Sequence, residues 1–195
     1  QASRPAVKYV NGEYWGLVNI RDRIDNNYLA NHFEVDPDEV IMLNAPWGNS
    51  SSANVEYGSN RDVEEYRKLF RLVTEGAIEE KETYSQVTTQ LDVLSYIDYV
   101  IAFVYFNNVD WYGHKHFRFW KSKIIADKEF QDGKFRLIVW DFDASFKSGA
   151  GYNSLENWID VKTVGNQYGV DDPIKTLFLR SLLRNAEFRA LFISR

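Results

Sequence analysis

Leu137-Ile138-Val139-Trp140-Asp141-Phe142-Asp143 is the stretch on which the reading of this chain turns. Four apolar residues form a strand pattern and deliver two carboxylates at its end. Upstream, the largely apolar run from Asp92 to about Asn107 reads as a buried helix, and it leads into Asn107-Asn108-Val109-Asp110-Trp111. The order is therefore buried helix, carboxylate loop, hairpin, then a strand with terminal carboxylates. Phosphoryl transfer from a nucleotide requires such parts: one Asp to accept a hydroxyl proton, another to hold Mg²⁺ on the phosphates. Residues two apart in a strand share a face, so Asp141 and Asp143 are expected side by side. Carboxylates so placed repel unless a cation sits between them or one is protonated. Hard oxygen ligands of this kind suit Mg²⁺ or Mn²⁺. The alternative is a strand end turning into solvent, with Asp143 capping the next turn. Asp110 taken alone equally reads as part of a helix C-terminal turn. The Asp-x-Asp downstream of it favours the role of general base.

The 195 residues suffice for one domain with a substantial core. Hydrophobic content of 45% and aromatic content of 16% argue against disorder. A net charge of −5 leaves no electrostatic footprint for nucleic acid. The longest apolar run, Val93–Phe106, contains Asp98 and several tyrosines, and is too short and too polar to span a bilayer. No signal peptide or lipidation motif is visible. With no cysteine, disulfides, thiolate metal sites and cysteine nucleophiles are excluded. The chain enters a strand pattern within a few residues of Gln1 and is still apolar near Arg195, which reads as a fragment of a longer chain.

Around the deciding stretch, Ala6–Val10, Asn11-Gly12 and Glu13–Ile20 read as a β-hairpin, since Asn-Gly is the preferred two-residue turn. Arg21–His32 is helical or turn-like, Asp36-Pro37-Asp38 is a turn and Val40–Leu43 a short strand. Ala45–Asn60, rich in Asn, Ser and Gly, reads as a loop or lid. Arg61–Glu75 carries Val63, Tyr66, Phe70 and Val73 at helical spacing. Asp92 is placed to cap the central buried helix. Phe117–Ile125 and Lys134–Trp140 read as strands around Asp132-Gly133, and Phe146–Gly169 as a Gly/Asn-rich loop. Asp172-Pro173 opens a helical stretch over Ile174–Leu183, with a shorter one after Asn185. The class is α+β, a small antiparallel sheet with a buried central helix.

Other candidates are weaker. His114 and His116 flank Lys115 and would share a face on a strand, but without a third ligand a solvated loop is the better reading. Asn11-Gly12-Glu13-Tyr14-Trp15-Gly16 is either an ordinary hairpin or one lying over a nucleotide, with Gly16 allowing close backbone approach. Arg21-Asp22-Arg23 offers a guanidinium to a phosphate, or a surface ion pair. Neither a serine-nucleophile elbow nor a Walker phosphate loop occurs.

Three blocks resemble the spore-coat protein H (CotH) kinase family. Tyr9 to Asp25, with Asn11-Gly12, Tyr14, Gly16, Arg21-Asp22 and Ile24-Asp25, is similar to the family's hairpin block. Leu91 through Asn107, Asp110 and Trp111 resembles its buried helix and Asn-x-Asp-Trp segment. Phe135 to Asp143 resembles its strand ending in Asp-x-Asp. The resemblance implies an atypical protein-kinase-like fold over residues 1–195 and ATP- and Mg²⁺-dependent phosphorylation of protein serine or threonine. On it Asp110 is the catalytic Asp, Asp141 the metal-binding Asp and Asp143 its assistant. Tyr14, Arg21, Asp22 and Lys115 fall at the nucleotide. It also implies that part of the small lobe and the C-terminal family segment are missing, and it favours an extracytoplasmic or spore-surface location. Two positions depart from the pattern. His114-Lys115 stands where the family has Asn-Asn, and a charged lysine cannot ligate Mg²⁺. It would neutralise a phosphate, or mark a degenerate copy serving as a binding or surface-assembly module. Asp22 stands where Glu is usual, keeping the charge with a shorter reach. Asp141-Phe142-Asp143-Ala144-Ser145 also mimics the nucleophile motif of haloacid-dehalogenase-like phosphatases, but that motif opens its fold, and here too little chain lies beyond it.

Overall fold

The computed structural model describes residues 3–44, 53–108, 117–146, 153–159 and 177–195. It is α+β, with two small antiparallel sheets. Strands β1 (Ser3–Val10) and β2 (Glu13–Arg21) form the first sheet, joined by the expected Asn11-Gly12 turn at φ 51° and 85°. Side chains on both faces of this ribbon are exposed, Trp15, Leu17 and Ile20 among them.

The second sheet is built from β3 (Val40–Asn44), β4 (Asn54–Tyr57), β5 (Arg118–Ser122) and β6 (Arg136–Leu137), in the order β4-β3-β5-β6. Strand β3 shows why its run is apolar throughout. Ile41 and Leu43 face the larger core, whereas Val40 and Met42 face a smaller one with Trp120, Ile24 and Leu29. A strand buried on both faces loses its polar alternation. The smaller core is closed by α1 (Asn26–Phe33), capped by Asp25.

The larger core is helical. Helix α2 (Asn60–Thr74) contributes Val63, Tyr66, Phe70 and Val73, as their spacing predicts. Helix α3 (Lys81–Gln90) adds Tyr84 and Val87. Helix α4 (Val93–Tyr105) buries Val93, Tyr96, Ile97, Tyr99, Val100 and Phe103, and is the central helix expected from its composition. The Asp92 carboxylate accepts from the Ser95 amide at 3.0 Å, fixing the start of α4. Short helices α5 (Ser154–Ile159) and α6 (Leu179–Leu182) and the terminal α7 (Ala186–Ser194) complete it. Among the described residues no helix is long and apolar enough to cross a membrane.

Several boundaries differ from the sequence reading. Strand β4 lies within the segment read as a loop, because Val55 pairs with Leu43 and packs on the larger core. Helix α5 lies within the second such segment, anchored by the fully buried Trp158. Strand β6 has two residues rather than seven.

Candidate active site

The β6 strand is short because it is held as much by helices as by its sheet. Phe135 donates its amide to the Gln90 carbonyl at 2.8 Å and accepts from the Asp92 amide at 2.9 Å. The Leu137 amide donates to Ser95 Oγ at 3.1 Å. Beside it the buried Arg136 guanidinium bridges Asp92 and Asp132 at 3.0 and 2.8 Å. The strand that leads to the two carboxylates is thus fastened to the N-terminal end of α4.

The C-terminal end of α4 fastens the turn that carries the carboxylates. Asp141 adopts φ 61°, a left-handed backbone that aspartate tolerates better than most residues. The Asn108 side-chain amide donates to the Asp141 carbonyl at 3.0 Å. The Phe142 ring packs on Phe103 and Phe106, with centroids 4.7 and 5.4 Å away. The Phe146 amide donates to the Phe106 carbonyl at 2.9 Å. The expectation that Asp141 and Asp143 sit two apart on one strand face is therefore corrected. The strand ends at Leu137, and the left-handed turn at Asp141 breaks the alternation.

Both carboxylates nevertheless line one cavity of about 850 Å³. Arg21, Arg23, Ile24 and Asp25 line it from the end of β2 and the segment after it, Glu56 and Tyr57 from β4, and Arg118 from β5. Val139, Trp140 and Phe142 line it beside the two aspartates. Arg118 is held from three sides: it donates to Glu56 at 3.1 Å and to the Ile24 carbonyl at 3.2 Å, and lies 4.4 Å over the Trp140 ring. Asn44 donates to the same Glu56 oxygen at 2.8 Å. This network sets a planar guanidinium against an indole on the cavity that Asp141 and Asp143 also line.

The sequence-derived candidates divide. Arg21, Asp141 and Asp143 come together at the cavity. Asp22 is exposed and is not among the lining residues. Tyr14 is exposed on the hairpin, edge-on to Tyr9 at 6.0 Å, and does not line the cavity either. Asp110 and Lys115, with His114 and His116, lie outside the described residues. Arg118, Glu56, Trp140 and Asn108 were not picked out from sequence. Arg118 carried a signal, a lone cation in the aromatic run Phe117 to Trp120. Glu56 carried none, being in a segment without an evident strand pattern.

Among the described residues no group of three or more carboxylates or histidines forms an all-protein metal site. Asp141 and Asp143 match instead the donor set of a Mg²⁺ ion, which characteristically takes one or two carboxylates and completes its shell with water and phosphate.

The family model described as CotH kinase protein matches residues 1–195. The chain belongs to the CotH family, whose name carries a kinase-like function. A comparison with curated proteins gives no match.

Proposed function

We propose that the cavity is the nucleotide site of a phosphotransferase that moves the terminal phosphoryl group of Mg·ATP to a serine or threonine hydroxyl of a protein. The observation that carries this reading is the meeting of Asp141 and Asp143 with Arg21 and Arg118 on one cavity in a chain of the CotH family. Asp141 and Asp143 would hold Mg²⁺, which when bound neutralises phosphate charge and orients the transferred group. Arg21, together with Lys115, would face phosphate oxygens. The indole of Trp140 and the side chain of Ile24 offer apolar surface to the base. Asp110 would orient the acceptor hydroxyl and accept its proton. A surface location fits a family named for a spore coat.

The first test is thermal unfolding with ATP alone and with ATP plus Mg²⁺, for the wild type and Asp141→Ala. At a hundredfold excess over Kd a ligand stabilises by about 2.7 kcal/mol. For a chain of this size that is a rise of roughly 5–10 °C. A metal-dependent rise, lost in the variant, is the expected result. Phosphoryl transfer to a protein acceptor, abolished by Asp110→Ala, then assigns the base. Binding without transfer would instead favour a degenerate binding module, the reading that His114-Lys115 motivates. No rise in folded wild type would remove the nucleotide from this cavity.

A further inference from the structure

The end of α4 is a Schellman motif. Asn107 takes the left-handed position at φ 45° and donates its amide to the Val104 carbonyl at 3.1 Å, and the Asn108 amide donates to the Phe103 carbonyl at 3.2 Å. This turn places Asn108 in the core, fully buried, where its side chain reaches the Asp141 carbonyl thirty-three positions away. A left-handed conformation at a residue other than glycine persists only where its surroundings over-determine it. Among the described residues, the end of α4 and the turn after it contribute several contacts here: the Asn108 side-chain amide on the Asp141 carbonyl, the Phe103 and Phe106 rings under Phe142, and the Phe106 carbonyl under Phe146.

We infer that Asn108 is the positioning residue for Asp141, its side-chain amide locking the left-handed turn that aims this carboxylate into the cavity. The same residue stands two positions before Asp110 in the chain. One side chain thus links the segment that carries the proposed base to the turn that carries the proposed metal ligand. A hydrogen-bond donor is needed here, because the group it holds is a carbonyl oxygen. Leucine has the branching and heavy-atom count of asparagine but no donor, so Asn108→Leu approximates its shape and removes the bond.

The consequence for metal binding rests on the phosphotransfer reading, whereas the locking bond does not, and two measurements on the full chain keep them apart. The first is amide hydrogen exchange over residues 139–146, compared with that of α2. In Asn108→Leu, exchange at 139–146 rises at least tenfold while α2 keeps its protection. The second is the affinity for Mn²⁺ in the presence of a non-hydrolysable ATP analogue, which weakens tenfold or more, as the loss of an orienting partner typically does. Asn108→Ala is the second variant and replaces the first if leucine does not fold. Unchanged exchange at 139–146 in a folded variant overturns the inference. So does a rise that α2 shares in full, because that reports general destabilisation. Wild type that does not bind Mn²⁺ with the nucleotide would overturn the phosphotransfer reading, and the exchange comparison would still decide the role of Asn108.

Discussion

Arg136→Met tests whether the strand that leads to the carboxylates is held by charge. The Arg136 side chain is only 7% exposed, yet it meets Asp132 through two hydrogen bonds of 2.8 Å, Asp92 at 3.0 Å and the Lys134 carbonyl at 3.2 Å. Its guanidinium also lies 5.3 Å from the Phe130 ring centroid and 5.9 Å from that of Trp120. Removing one partner of a buried ion pair costs about 3–5 kcal/mol, mostly through the charge left behind. Here the Asp92 and Asp132 side chains keep 27% and 37% of their surface exposed, so water recovers much of their solvation. The unbranched methionine stem keeps part of the aromatic contact. The lower end therefore applies, about 3 kcal/mol, or a fall in Tm of roughly 6–12 °C for a chain of this length. Calorimetry or circular dichroism at pH 7 measures it. The pH dependence adds a second check. Burial tends to raise the Asp132 carboxyl, but hydrogen bonds from Arg136 and the Lys134 amide, with their charges, outweigh it and hold the group below its usual value. A carboxylate held low contributes stability above its unfolded pKa and loses it as pH falls through the folded one. The gap between wild type and variant should therefore narrow below about pH 4. A fall in Tm of less than about 2 °C at pH 7 would refute the reasoning, since it corresponds to under 1 kcal/mol.

Two further predictions concern the core around α4. The Tyr96 hydroxyl is buried with no hydrogen-bond partner among the described residues, and burial pushes its phenol well above the ordinary range. Tyr96→Phe should leave stability unchanged or raise it by up to about 1 kcal/mol in urea unfolding, and a clear loss would reveal an undetected partner for the hydroxyl. Asn185 caps α7, accepting from the Glu187 and Phe188 amides at 2.9 and 3.0 Å, and its own amide donates to the Ile78 carbonyl at 2.9 Å. Asn185→Ala should cost about 2 kcal/mol by the same measurement, the sum of a lost cap and a buried carbonyl left unpaired. A cost within experimental error would mean that water replaces both bonds.

How much of the structure was legible in the sequence depends on which forces are local. Asn11-Gly12, the capping Asp92, the short helix after Asn185 and the helical spacing of α2 are set within a few residues, and each stands where it was expected. Strand β4 was missed because nothing local announces it: its ladder partners are in β3, and its charged Glu56 is satisfied by Asn44 and Arg118 from elsewhere in the chain. The same limit shaped the site. Asp141 and Asp143 were legible as a pair, but the strand alternation used to place them fails at Asp141, where tertiary bonds from α4 impose φ 61°. Asn108 belongs to the turn that ends α4. That its side chain also holds a carbonyl thirty-three positions away is a property of packing alone.

The charges on the cavity bear on how a nucleotide would enter it. Three guanidinium groups face four carboxylates there. Arg118 is engaged by Glu56 at 3.1 Å, and Arg23 lies 4.0 Å from Asp25. On the proposed reading, a polyphosphate entering without a metal ion would meet the carboxylates of Asp141 and Asp143 as well as Arg21 on the same cavity. One divalent ion reverses that balance, and its charge is the largest local term in such a site. On the proposed reading, metal and phosphate should bind as a unit, with little affinity for ATP in the presence of chelator. Lys115 sharpens the point. With the Lys115 ammonium at the phosphates, part of the charge that a second metal would neutralise is already supplied by the chain. Activity would then need one metal ion rather than two, and Lys115→Asn would raise the metal concentration required for half-maximal stabilisation by nucleotide instead of lowering it.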